Sequence, residues 1–355
     1  AWTVRPEDSG TAASPTIFAA APGEAPVLSG GVAVTGWTRL VSPAPGLPAA
    51  AQGEVWVAPA PLIGGRPREF RQLWIDGRKA VRARTPNGGE MDRLVAWTPA
   101  DETAVIPDRP ELPAEAGALE MVIYQQWEIA LLRVRDLAPV AGGRRVRFHQ
   151  PESRVQFEHP WPAPIMTATH RAPFFLQNSL SLLDAPGEWY HDQARSLLYY
   201  WPRPGENPAR IEAVVPVQEI LLEAVGTLDR PVAHIRFEGL RFAHAAWLRP
   251  GLAGHVPHQA GFYMTEAYKM LPPGTPDKRS LENQAWVGRP PGAVTLQAAH
   301  DLQFERCRFE HLASAGLDAD RGIRRLTVEG GIFRDIGGNG VQLGAFAEAP
   351  VETHV

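Results

Sequence analysis

The sequence predicts an all-β fold in which stacked coils of a parallel β-solenoid are interrupted by an inserted antiparallel, sandwich-like β domain. Three observations lead there. Apolar patterns recur at a solenoid period in the last third of the chain. Short strand-and-turn segments fill residues 39–215, and no window keeps a 3.6-residue apolar period for three turns. Finally, 33 glycines and 35 prolines among 355 residues interrupt helices throughout.

Taken in order, residues 1–38 hold Pro15-Thr-Ile-Phe18, Pro26-Val-Leu28 and Gly31-Val-Ala-Val34, short strands expected to begin the solenoid. Residues 39–215 are expected to form the inserted domain. Glu54-Val-Trp-Val57 is a short strand. Leu73-Trp-Ile75, Asp76-Gly77 and the arm Arg78–Arg84 form a hairpin, because Asp-Gly supplies the positive φ that a type I′ turn requires. Met121–Trp127 and Arg144–Phe148 are further strands. Gly187–His191 and Leu197–Trp201 form a second hairpin, in which alternation should bury about half of Trp189, Tyr199, Tyr200 and Trp201.

Residues 216–355 carry the repeats. Ile235–Phe242, Leu302–Phe309 and Leu326–Phe333 are alike, with apolar residues at offsets 0, +2 and +7; the last two start 24 residues apart. Pro/Gly-rich text from Pro250 to Pro291 reads as an insertion between coils. Val294-Thr-Leu296, Leu317-Asp-Ala319 and Val341-Gln-Leu343 form a second ladder. Period-2 alternation turns their apolar residues inward and Thr295, Asp318 and Gln342 outward. Cys307 occupies an inward offset and reads as an inert buried thiol.

Composition sets bounds. Apolar residues make up 44%, enough for a core, and the net charge is −4 without Lys/Arg clusters, which argues against a phosphate-backbone partner. No apolar run approaches the roughly 20 residues of a membrane-spanning helix. A single cysteine excludes intramolecular disulfides and cysteine zinc sites. The sequence contains no HExxH, P-loop or G-x-S-x-G motif, and Gly337-Gly-Asn-Gly340 reads as a turn between strands. No adjacent Asp-Asp pair of the polygalacturonase kind occurs. Ala1 is neither Met nor part of a signal segment, and Val341–Val355 reads as a strand that stops, so both ends are expected to be cut from a longer chain.

Several phrases carry a resemblance: Arg5-Pro-Glu-Asp-Ser-Gly10, Gly30-Gly31 with Thr35-Gly-Trp37, Leu73-Trp-Ile-Asp-Gly77, and Arg82-Ala-Arg84 with Pro86-Asn87. Gly187-Glu-Trp-Tyr190, Leu198-Tyr-Tyr-Trp-Pro202 and Phe237–His244 extend it over nearly the whole chain. The chain resembles the right-handed parallel β-helix proteins of carbohydrate metabolism, and more narrowly glycoside hydrolase family 141, whose described activities include fucosidase and xylanase. That resemblance implies a β-helix interrupted by a β-sandwich domain, with further coils past Val355. It also implies an acidic pair on solenoid strands, in this chain or in those later coils.

Asp318 and Asp320 are the first catalytic candidates. Positions i and i+2 of a strand share a face about 6.5–7 Å apart, within the separations that glycoside hydrolysis uses. Asp318 would serve as nucleophile or base, and Asp320 as acid or positioning group; otherwise both are solvated acids neutralised by Arg321 or Arg324. His244, His311 and Asp335 stand at offset +9 of the three repeats and should stack along one edge, either binding a sugar or satisfying a coil corner. His255 and His258 sit in the coil insertion, where groove contacts suit them better than a metal, since no third ligand is evident. Trp247 and Trp286 border that insertion and could stack on sugar rings. Gln342 faces outward beside Asp318. Arg82 and Arg84 share a strand face and could hold an acidic sugar or an internal carboxylate.

The expected function is hydrolysis of glycosidic bonds in a complex polysaccharide, without cofactor or metal, outside the cell or in the periplasm. A polysaccharide lyase on an acidic glycan and a non-catalytic glycan-binding or adhesion solenoid are the alternatives. Exposed strand edges also leave room for self-association or for a second chain that completes the solenoid.

Overall fold

The computed structural model describes residues 1–158, 163–267 and 287–344. Of the described residues, only Glu152–Glu158 and Arg249–Ala253 form α-helices; the rest of the regular structure is strand, with a few single 3₁₀ turns.

Three parallel sheets hold the N-terminal strands and the last third of the chain. The first orders Trp2–Val4, Leu222–Val225, Gly292–Gln297, Ala315–Ala319 and Val341–Leu343 side by side. The second orders Thr16–Ala19, Val232–Glu238 and Ala299–Glu305, the last of which pairs with both Ile323–Arg324 and Thr327–Glu329. The third orders Val27–Ser29, Arg241–Ala243, Arg308–Leu312 and Ile332–Ile336. The chain visits the sheets in the same order on each pass, so equivalent residues of successive repeats become neighbours.

That register makes the core. Phe18, Phe237 and Phe304 stack at 5.5 and 4.9 Å, and Phe242, Phe309 and Phe333 at 5.1 and 4.5 Å. Leu317 and Ala319 are buried with them, as period-2 alternation requires, and so is Cys307. Left-handed residues recur at three fixed offsets of each repeat, and the set at +4 separates the second sheet from the third. His234, Asp301 and Arg325 precede the repeat starts with φ of 54°, 56° and 51°; Gly239, Arg306 and Gly330 follow at offset +4, and His244, His311 and Asp335 at +9.

The region between Thr38 and Pro216 is mainly antiparallel. Its largest sheet runs Arg84–Thr85, Pro173–Gln177, Glu120–Tyr124, Ile129–Val140, Gly143–Phe148, Thr103–Ile106 and Ala96–Thr98. A second sheet joins Val81–Arg82, Glu188–Asp192, Leu197–Tyr200, Trp56–Pro59 and Thr38–Arg39. The hairpin at Asp76-Gly77 forms as expected, with both residues at positive φ and Lys79 opposite Trp74.

Three expectations need correction. Gly31–Ala33 does not join the parallel strands but pairs antiparallel with Ala213–Pro216. Only glycine fits at the junction, because a side chain at Gly30 would meet the carbonyl oxygens of His244 and Gln218 within 2.9 Å. Arg78–Arg84 is not one hairpin arm: Arg78–Lys79, Val81–Arg82 and Arg84–Thr85 enter three different sheets, stepping at the buried small residues Ala80 and Ala83. One of those pairings, with Glu188–Asp192, is parallel. The second hairpin is covered on both faces, so Trp189 and Tyr200 pack into one core, Tyr199 into another, and only Trp201 stays half-buried.

Candidate functional site

Asp318 lies in the fourth of the five strands of the first parallel sheet, between Thr295 and Gln342. Its side chain points away from the core, but Arg289, delivered by the end of the coil insertion, covers it to 7% exposure. Arg289 donates from Nε at 2.7 Å and from Nη2, and both bonds fall on Oδ1. Oδ2 accepts no hydrogen bond among the described residues. Asp320 follows the strand and is half-buried, close enough to Asp318 and Arg289 for both charges to act on it. Burial lifts its carboxyl above the ordinary value; Arg289 opposes that shift and Asp318 adds to it. One carboxylate is thus fixed by a guanidinium while its neighbour is shifted toward a higher value by burial. Arg289 neutralises Asp318, and Arg321, one of the two arginines expected to neutralise the acids, lowers Asp320 together with Arg289.

Gln342, the next residue of the ladder, is 4% exposed. It donates to the Pro290 carbonyl at 3.0 Å and accepts from Asn339 at 3.3 Å, bracing the segment that carries Arg289 rather than standing open to a ligand.

A cleft of about 540 Å³ opens where the inserted domain meets the corner between the third and first sheets. The coil insertion forms one wall. His255 exchanges backbone hydrogen bonds of 2.7 and 2.9 Å with Leu131, which clamps this segment onto the long strand of the insert. Trp247 and His255 both line the cleft, edge to face at 5.3 Å. Burial holds the His255 imidazole down at about 4, with Arg249 adding, so it is neutral at physiological pH. His258 is half-buried and does not line the cleft. Trp286 lies outside the described residues.

Opposite stand Arg71, Arg82 and Arg84. Glu120, buried behind them, accepts two hydrogen bonds from Arg71 at 2.6 and 2.9 Å, one from Gln177 at 2.8 Å and one from Arg82 at 3.4 Å. Burial alone would raise the Glu120 carboxyl, but Arg71 and Arg82 outweigh it and hold it at about 2. Arg82 therefore has the internal carboxylate as its partner. Arg84 instead lies over the Phe175 ring at 3.6 Å and donates to the Pro86 and Glu90 carbonyls.

The offset +9 residues do stack. His244 bonds Ser29 at 3.1 Å and His311 at 3.4 Å, and His311 lies 3.6 Å from Asp335. The indole of Trp74 covers His311 at 4.1 Å. His311 is 5% exposed with Trp74 stacked on it and His244 beside it, so it joins the insert to the sheets and offers no open surface to a sugar. No cluster of three or more potential metal ligands occurs among the described residues.

Sequence reasoning missed Arg289 and Lys79, the latter lining both this cleft and a smaller one beside it. Arg289 is 29 residues from Asp318, near the end of the coil insertion, and no local pattern pointed to it.

Comparison with known proteins agrees with the motifs. Residues 53–203 match the family described as the GH141 insertion domain. A solved structure titled "Glycoside hydrolase" is 41% identical, with a TM-score of 0.86. The match covers 99% of this chain and 59% of that protein, so the chain spans under two thirds of that protein's length. A second, titled "The complex structure of XylC with xylose", is 12% identical with a TM-score of 0.26 over 97% of this chain and 59% of the other, too low to carry weight. No curated protein matches the sequence. By these likenesses the chain is similar to the carbohydrate-active proteins of glycoside hydrolase family 141.

Proposed function

We propose that this GH141-like chain forms part of a glycoside hydrolase that cleaves a complex polysaccharide with Asp318 and Asp320, on coils that wind as a right-handed parallel β-helix. The reading rests first on the 41% identity to a glycoside hydrolase along 99% of the chain. The geometry that supports the pair is the asymmetry between the two acids. Arg289 holds Oδ1 of Asp318 and leaves Oδ2 to face an anomeric carbon or an attacking water, while burial lifts the Asp320 carboxyl in the direction a proton donor to the leaving oxygen needs. Polysaccharide as substrate fits an extracellular or periplasmic enzyme. Ile332, Val341 and Leu343 are exposed on the outermost described strands, which suits coverage by further coils or by a second chain.

Reducing-end release by the full-length protein is the test. Asp318→Asn and Asp320→Asn should each lower turnover by about 10²–10⁴-fold in protein that stays folded, although Asp318→Asn also loses its ion pair with Arg289 and should melt lower. Undiminished turnover in both variants removes the assignment. An unsaturated product absorbing in the ultraviolet would identify elimination instead of hydrolysis.

A further inference from the structure

The cleft between the insert and the parallel sheets holds charges that neither the core nor the carboxylate pair uses. Arg71, Lys79, Arg82 and Arg84 line it, and no acidic side chain does. Behind them, Glu120 serves Arg71 and Arg82, and Glu69 lies 3.4 Å from Arg71. Lys79 is exposed by area, though desolvation lowers the pKa of its ammonium and Asp335 opposes that shift, and neither it nor Arg84 forms an ion pair within 4.0 Å among the described residues. Positive charge is therefore in excess.

Arg82 is the more telling residue. It is 8% exposed, yet its hydrogen bonding among the described residues amounts to the 3.4 Å contact with Glu120, and its buried Nε meets no acceptor. A guanidinium carries five donors, and leaving them unmet away from water is costly. Burial pushes Arg82 down to about 10, which keeps it charged at neutral pH. Trp247, half-buried in the facing wall, adds an aromatic surface. The volume lies within the range of about 300–1,000 Å³ typical of small-ligand sites.

We propose that this cleft binds a uronic acid residue of the glycan, with its carboxylate against Arg82 and Lys79 and its ring against Trp247. Planar guanidinium donors match a carboxylate, and an indole packs on the apolar face of a sugar. This subsite rests on the proposed carbohydrate substrate but not on the carboxylate pair, and it would make the enzyme select acidic glycans.

Isothermal titration calorimetry of the full-length protein, with trigalacturonate and galactotriose as probes, tests it. Trigalacturonate should bind at least about tenfold more tightly, the difference shrinking in high salt. Lys79→Met, at an exposed position that should leave the melting temperature unchanged, should weaken trigalacturonate roughly tenfold and galactotriose little, as for one charge-assisted hydrogen bond. Arg82→Met should weaken it further, but it touches a buried network, so the lysine variant carries the test. Equal affinity for both trimers, no binding of trigalacturonate, or an unchanged affinity in Lys79→Met overturns the subsite. Trigalacturonate binding without any polysaccharide turnover keeps the subsite and removes the hydrolase reading. Turnover with no acidic preference does the reverse.

Discussion

At the scale of single residues, two buried carboxylates are defined by arginines that the chain brings from far away. Two guanidiniums depend on Glu120. Its carboxyl is held at about 2 in the fold against an ordinary 4.5, so its contribution is complete above 4.5 and is lost as pH falls toward 2. Glu120→Gln should cost about 3–5 kcal/mol at pH 7, because Arg71 and Arg82 would stay buried without their acid. Urea unfolding at pH 7 and pH 3 checks this: the gap between wild type and variant should narrow at the lower pH, and a constant gap would refute the charge argument. Asp318 was legible as an outward residue because Leu317 and Ala319 flank it with apolar alternation. Its partner was not, because Arg289 arrives through the path of the coil insertion, which no local pattern encodes. Arg82 illustrates the same limit, since its acid lies 38 residues away on another strand.

At the scale of elements, the repeat is a sequence of strands bent or separated by left-handed residues. The apolar offsets 0, +2 and +7 were visible in the sequence, and they place the stacked phenylalanines correctly. The corners were less visible, because glycine marks only Gly239 and Gly330, while histidine, aspartate and arginine occupy the other seven left-handed positions. Register imposes the conformation there at a cost of roughly 1–2 kcal/mol per non-glycine residue. Gly239→Ala should therefore destabilise the protein by about 1–2 kcal/mol, with its new methyl also 3.3 Å from Ala20. A calorimetric melting temperature equal to wild type would show the corner to be slack. The corner histidines add a pH response. Burial lowers His244 to about 4, with His311 adding, and His311 is lowered too. A histidine whose folded value is depressed stays neutral in the fold, so its stabilising share is complete above the unfolded value of 6.5 and is lost as pH falls to 4. Thermal melts from pH 7.5 to 4 should show this loss, and His244→Asn should flatten it. Gly31–Ala33 escaped the sequence reading because its alternation suits either sheet, and only the clearance at Gly30 decides between them.

At the scale of the whole molecule, the first of the three parallel sheets carries Asp318, with Asp320 just past the strand end, and the inserted domain closes a charged cleft over one corner. Parallel stacking was legible because the repeats share one register, and the antiparallel character of the insert because its turns and alternation are local. The cleft was not, since it exists only where Leu131 and His255 bring two distant segments together. The central claim is that glycosidic bonds are cleaved on the outer face of the first parallel sheet. A crystal structure of the full-length Asp318→Asn variant, soaked with an oligosaccharide that the wild-type protein hydrolyses, tests it most directly. The expected result is a glycosidic oxygen within hydrogen-bond reach of Asp320, with the anomeric carbon facing position 318. A productively bound sugar elsewhere, with both positions untouched, would contradict it.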